Sequence, residues 1–162
     1  MPNTIVSGKW FDELEVGQVF KHALRRTLTE TDNLLFTTMT HNPAQLHLDA
    51  EYCKNETEFG GVLINSMFTM GLVVGISVGD TTLGTAVANL SIDEAVFPKP
   101  LFPGDTIRVE TEIIALRESK SRPTQGIVTF EHRAFNQINE LVCKVQRKGL
   151  QHKAAQKNKS TP

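Results

Sequence analysis

From Asn65 to Val78 the chain reads Asn-Ser-Met-Phe-Thr-Met-Gly-Leu-Val-Val-Gly-Ile-Ser-Val, with apolar residues recurring at spacings of three and four and almost no polar face. A helix that is apolar nearly all round has to be buried, so the rest of the chain must cover this segment on more than one side. Downstream, the pattern changes to a period of two, in Ala86–Leu90, Thr106–Leu116, Gly126–Phe135 and Glu140–Gln146. That alternation belongs to strands with one face in a core. Turn chemistry separates them: Pro103-Gly104-Asp105 leads into the second, and Ser121–Gly126 and Asn136–Asn139 read as hairpin loops. An earlier strand, from about Val16 to Leu28 with a basic face, completes the set. One buried helix followed by antiparallel strands predicts an α+β fold in which the sheet curls around the helix. Gly71 and Gly75, four residues apart, are expected to let the sheet approach that helix closely.

Between the first strand and the apolar helix lie shorter elements. Thr29 or Thr31 can cap a helix whose first turn carries Glu30 and Asp32, the favourable sign for a helix start. Leu34, Leu35, Thr38 and Met39 share one face of it, and it stops before Pro43. Asp49 is placed to cap a second, short helix. The chemistry concentrates in two stretches, Thr40-His41-Asn42-Pro43-Ala44-Gln45-Leu46-His47-Leu48-Asp49 and Phe59-Gly60-Gly61-Val62-Leu63-Ile64-Asn65-Ser66-Met67. The first sets imidazole and amide groups in a Pro-containing turn. The second opens the apolar helix on a small residue whose backbone N–H is free. Together they suit a site that holds a thioester carbonyl and moves a proton beside it.

Composition narrows the partners. The chain has 162 residues, 40% of them hydrophobic, enough for one core and one domain, expected over residues 10–150. Its 17 basic and 18 acidic residues give a net charge of −1 and are spread along the sequence, which argues against nucleic acid or an anionic membrane as partner. Cys53 and Cys143 are the only cysteines and no Cys-x-x-Cys spacing occurs, so free thiols in a reducing cytosol are expected. The amino-terminal stretch lacks the apolar run of a secretory signal, and the apolar stretch from Leu63 to Val78 is too short and too interrupted to span a bilayer. Residues 151–162, rich in Lys, Gln, Asn and Ser from Lys153 on, are expected to form a disordered tail.

The two stretches resemble the MaoC-like enoyl-CoA hydratase family, whose usual pattern is an Asp-x-Asn-Pro-x-His turn followed by Phe-Gly-x-x-x-x-His-Gly at a helix start. The resemblance runs from about Trp10 to Lys148 and includes the Pro103–Thr106 turn. The stretch from Asn65 to Thr82 makes the chain similar to the branch acting on mesaconyl-CoA, itaconyl-CoA or β-methylmalyl-CoA. The resemblance implies a hot-dog fold, a homodimer, and a cytosolic lyase that adds water reversibly to a short, branched dicarboxylic enoyl-CoA. No metal or redox cofactor is implied, CoA being part of the substrate. The motif departs from the family at its carboxylate. Five residues before His47 stands Asn42; aligning Asn42-Pro43 with the family's Asn-Pro instead puts Thr40 at the Asp position and requires a two-residue insertion. At the helix start Asn65-Ser66 replaces His-Gly.

On this resemblance His47 is the acid-base group, and the Ser66 N–H, helped by the helix dipole, receives the enolate oxygen. Asn42 cannot exchange a proton at neutral pH, but its amide can hold water or a thioester oxygen. Asn65 and His41 adjoin these groups as substrate-binding candidates. Arg122, with Arg117, Lys120 and Arg133, could meet a CoA phosphate or a substrate carboxylate; solvated surface charge is the competing reading of each. His132 is assigned no role. His41, His47, Asp49 and Glu51 do not form a recognised metal-ligand spacing. Two other activities stay open: a thioesterase, although no Asp or Glu lies between Asn65 and Gly79, and a non-catalytic acyl-CoA binder, consistent with the missing Asp.

Overall fold

A computed structural model describes residues 8–154. An edge strand, β1 (Val19–Thr27), leads into α1 (Glu30–Met39). Thr29 Oγ1 accepts the Asp32 N–H at 3.1 Å and the Asp32 carboxylate accepts the Thr29 N–H at 3.0 Å, a reciprocal capping box. Asp49 caps α2 (Ala50–Glu56) by accepting the Tyr52 N–H at 2.9 Å. The apolar segment forms α3 (Ser66–Thr81), and its cap is Asn65, whose Oδ1 accepts the Met67 N–H at 3.0 Å. Four strands follow: β2 (Ala86–Val96), β3 (Thr106–Glu118), β4 (Gln125–Phe135) and β5 (Leu141–His152).

The strands form one antiparallel sheet in the order β1-β3-β4-β5-β2, and α3 packs against β1, β3, β4 and β5. β2 and β5 run well past their expected ends. Their ladder slips register between Ala86 and Ala88, Asn89 and Ser91, and Ile92 and Glu94, and such bulges erase the period-two signal that marks a strand in sequence. The expected tail also starts too early. Gln151 and His152 belong to β5, Lys153 N–H donates to the Thr124 carbonyl at 3.0 Å, and Ala154 N–H donates to Asp12 at 2.9 Å. Residues 155–162 lie outside the described residues.

Two apolar clusters fill the concave side of the sheet. One gathers Val73 and Ile76 of α3 with Ile107, Val109, Val142 and Val145; the other gathers Phe11, Leu14, Ile113, Val128 and Phe130. Gly126 makes room for the second, since a Cβ there would overlap the Phe11 ring. A row of buried polar side chains, His22, Thr111, His132 and Arg147, one from each of β1, β3, β4 and β5, separates the clusters.

One expectation about faces is corrected, and the burial of α1 is resolved. Gly71 and Gly75 do not meet the sheet: no atom lies within 4 Å of a Cβ built at either, or at Gly79, so the glycines form an open stripe on the outer side of α3. In α1 the buried side chains are Asn33 and Thr37, while Leu34, Leu35 and Met39 are exposed. Among the described residues no helix is long and apolar enough to cross a membrane.

Candidate functional site

His47 ends a short 3-10 turn, Gln45–His47, that follows Pro43. Its Nδ1 lies 2.9 Å from the carbonyl oxygen of Leu63. A carbonyl only accepts, so the hydrogen sits on Nδ1 and the lone pair on Nε2. No described residue bonds to Nε2, which leaves it open for a ligand.

Asn33 of α1 brings this turn and the start of α3 together. It is 2% exposed. Its Nδ2 donates to the carbonyls of His47 at 3.2 Å and Leu63 at 3.0 Å, while its Oδ1 accepts the Asn65 N–H at 2.8 Å. A buried amide with donors and acceptor all engaged is a rigid joint. Two further bonds fix the strand-like approach to α3: Leu63 N–H to the Leu46 carbonyl at 2.9 Å, and Ile64 N–H to the Leu101 carbonyl at 2.8 Å. Nothing in the sequence marks Asn33, because an Asn inside an amphipathic helix ordinarily reads as a surface residue.

The joined segments border a pocket of about 470 Å³ whose walls include His47, Phe59, Ser66, Phe97, Lys99 and Val142. Ser66 is the first residue of α3, and among the described residues no acceptor takes its N–H. The free donor and the positive end of the helix dipole both favour negative charge there. Lys99, between Pro98 and Pro100 in the β2–β3 connection, has no described acid within ion-pair reach. A second pocket, of about 320 Å³ with Asn33, Leu34, Leu48 and Val62 in its walls, reaches His47 from α1. The imidazole is therefore shared between two cavities.

The other residues expected in the site lie elsewhere. Asn42 lines neither pocket, and its Oδ1 accepts the Ala44 N–H at 2.9 Å in an Asx turn, so the expected contact with water or thioester gives way to a structural bond. Thr40, the alternative at that position, caps α1 with its hydroxyl on the Phe36 carbonyl at 2.9 Å. His41 is exposed, with φ 54°, a turn residue outside both pockets. Asn65 is buried and spent on the cap of α3 and on Thr37 Oγ1, 3.3 Å away, and lines neither pocket. Arg122 is at the wrong end of the sheet. Pairing of Arg108 with Phe135 and of Phe135 with Leu141 defines the end near the pocket, whereas Glu118 with Gly126 and Gln125 with His152 define the end that carries Arg122. Arg133 is paired with Glu112 and Glu131 at 2.9 Å each. Cys53 and Cys143 are both unpaired and buried, and burial pushes the Cys143 thiol up to about 12, far from a nucleophile. Among the described residues no three His, Cys, Asp or Glu side chains cluster as metal ligands.

A five-stranded antiparallel sheet closed over one long helix, with a histidine and a helix start facing a common pocket, is a hot-dog fold. A Mycobacterium tuberculosis protein described as a double hot-dog fold superposes on 98% of this chain with 48% of its own length, at TM-score 0.83 and 25% identity. The MaoC-like dehydratase from Rhodospirillum rubrum superposes on 90% of this chain with 98% of its own, at TM-score 0.79 and 28% identity. The chain belongs to the MaoC-like domain family, whose pattern spans residues 12–134. It is 31% identical over 136 residues to the mesaconyl-CoA hydratase of Cereibacter sphaeroides, a match covering 84% of this chain and 39% of that relative. The chain thus spans about two fifths of the length of this curated relative.

Proposed function

We propose that this chain is a hydratase or dehydratase that adds water reversibly to the double bond of a short dicarboxylic enoyl-CoA of the mesaconyl-CoA type, with His47 as its acid-base group. The observation that carries the reading is the Nδ1–H of His47 held on the Leu63 carbonyl, which leaves Nε2 basic at a pocket that also receives the Ser66 N–H. Likeness to a mesaconyl-CoA hydratase supports the substrate class, as does the free amine of Lys99 in the same pocket, suited to a second carboxylate.

In the hydration direction Nε2 takes a proton from water as its oxygen bonds to the β-carbon. The electrons of the double bond move to the α-carbon and the thioester oxygen, and the Ser66 N–H holds the resulting enolate oxygen. The imidazolium then returns its proton to the α-carbon. With one acid-base group serving both steps, hydrogen and hydroxyl arrive on the same face of the double bond. These steps draw on no cofactor beyond the CoA of the substrate, and a cytosolic location goes with this reading.

A homodimer fits this reading. The outer edge of β2 is unpaired in the sheet, the glycine stripe of α3 is open, and a related protein has two hot-dog units in one chain.

Incubation with mesaconyl-CoA and crotonyl-CoA, followed by loss of enoyl-thioester absorbance, tests the activity. His47→Ala should lower kcat by about two to four orders of magnitude. Release of free CoA without hydration would identify a thioesterase, and tight binding without turnover an acyl-CoA carrier; either result ends the hydratase reading.

A further inference from the structure

The polar row that separates the two apolar clusters is a hydrogen-bonded chain with a fixed direction. Arg147 can only donate, so the Nε–H bonded to His132 Nε2 at 2.9 Å puts the His132 hydrogen on Nδ1, which donates to Thr111 Oγ1 at 2.8 Å. The Thr111 hydroxyl is then left to donate to His22 Nε2 at 2.7 Å, and His22 Nδ1 meets Asp80 at 2.6 Å. Burial, and then the adjacent charge of Arg147, hold His132 well below the ordinary histidine range. His132 is therefore a neutral acceptor and does not balance the guanidinium.

Arg147 is 5% exposed, and its Cζ stands 4.4 Å from the centre of the Phe130 ring. Burial alone lowers it to about 10. Among the described residues no carboxylate lies within ion-pair reach of it and no acceptor takes its terminal amino groups. Burying a cation without a counter-ion is unfavourable, and an aromatic face offsets only part of that cost. The terminal groups are not enclosed. Nη1 lies 3.3 Å from where a Cβ would stand on Gly149, and both residues line a pocket of about 250 Å³ between α3, β2 and β5, with Val74, Val78, Val87 and Leu150 as its apolar walls. This pocket shares no residue with either cavity at His47.

We propose that this pocket is a binding site for a small monocarboxylate, held by the forked amino groups of Arg147 with a short hydrocarbon body against the valines. One cation calls for one negative charge; a phosphate dianion would leave charge unbalanced in an apolar cavity. The planar fork matches a carboxylate. Six non-hydrogen atoms, as in butyrate, need roughly 180 Å³ at the ~30 Å³ a liquid water occupies, which the cavity provides.

Titration of the full chain with butyrate, butyramide and inorganic phosphate, followed by calorimetry, tests the site. Butyrate should bind one per chain, with butyramide and phosphate at least about tenfold weaker. Val87→Trp fills the pocket from β2 without touching the hydrogen-bonded chain, and should weaken butyrate at least about tenfold while leaving the enoyl-CoA reaction unchanged. Arg147→Met should abolish binding; if that variant does not fold, Val87→Trp decides alone. The proposal fails if butyrate is silent at roughly 10 mM, if butyramide binds equally, or if free CoA displaces butyrate. It also fails if Val87→Trp leaves binding intact, or if it changes only the sedimentation of the protein, which would mean that a second copy of the chain occupies the pocket.

Discussion

The Leu63 carbonyl fixes the tautomer of His47, accepting its Nδ1–H at 2.9 Å while also accepting from Asn33 at 3.0 Å. One backbone oxygen thus ties the orientation of the imidazole to a side chain on a different helix. Asn33→Ala would strand the Asn65 N–H and the His47 carbonyl and leave the Leu63 carbonyl to His47 alone. It should destabilise the fold by roughly 2 to 4 kcal/mol and lower kcat/KM by about 10- to 100-fold through misplacement of His47. A shifted pH profile of kcat/KM distinguishes this positioning role; a lower Tm with an unchanged profile and unchanged activity of the folded fraction would reduce Asn33 to a structural brace.

Ser66 offers a test of a backbone donor. It is the first residue of α3, where proline is well tolerated, and Asn65 before it already has φ −61° and ψ 125°, the region a residue preceding proline adopts. Ser66→Pro should therefore fold, yet lose about 100- to 1000-fold in kcat with the N–H, whereas Ser66→Gly should keep most activity. Equal activity of the two variants would take the N–H out of the reaction.

Lys99 sets the substrate preference in this reading. Lys99→Ala should raise KM for mesaconyl-CoA by about tenfold or more and leave crotonyl-CoA within about threefold of wild type, because only the first carries a free carboxylate for the amine. Equal losses on both substrates, with weaker inhibition by free CoA, would move the amine to a CoA phosphate.

Acid stability should report His132. Burial keeps it neutral in the folded chain, whereas the unfolded chain takes up a proton below the ordinary value of 6.5. Stability is then full above pH 6.5 and falls as the pH drops below it, by up to about 1.4 kcal/mol per pH unit. His132→Gln keeps an acceptor for Arg147 and cannot titrate, so urea unfolding between pH 6.5 and pH 5 should show a shallower decline than wild type. Parallel curves would place the acid sensitivity elsewhere.

The glycine stripe probes assembly. Nothing stands within 4 Å of a Cβ at Gly75, so within one chain Gly75→Ala should stabilise α3 by about 1 kcal/mol. Where a second copy packs its backbone on this face, Gly75→Leu should dissociate the dimer. Sedimentation velocity reads the outcome, and a variant with unchanged mass would put the interface on another surface.

Periodicity made the buried helix and its sheet legible, because α3 and the inner faces of β3 and β4 alternate cleanly with the core. What escaped depends on register and topology. His22, Thr111, His132 and Arg147 are each unremarkable on their own strand and meet only through the pairing of the ladders. Arg122 looks suited to an anion until the hairpin that carries it is placed at the far end of the sheet. Lys99 lies between two prolines, a loop context that says nothing of the pocket beneath it. The glycines of α3 read as a close approach of the sheet, yet in the fold they form an open stripe, because a spacing of four fixes a helix face without fixing what that face meets.

The meeting of the two ends of the described chain frees the architecture from the order in which it is threaded. Ala154 N–H reaches Asp12, the Lys153 amine lies 6.0 Å from the centre of the Phe11 ring, and Gln151 Nε2 donates to the Lys9 carbonyl. A circular permutant that links these ends and opens the chain between Lys120 and Pro123 keeps every ladder of the sheet while turning the β3–β4 hairpin into its most distant pairing in sequence. Such a protein should reach the same architecture more slowly, since loop closure then precedes a pairing that was local. Its rate, set beside that of the natural order, would show how far the first steps of folding rely on that hairpin.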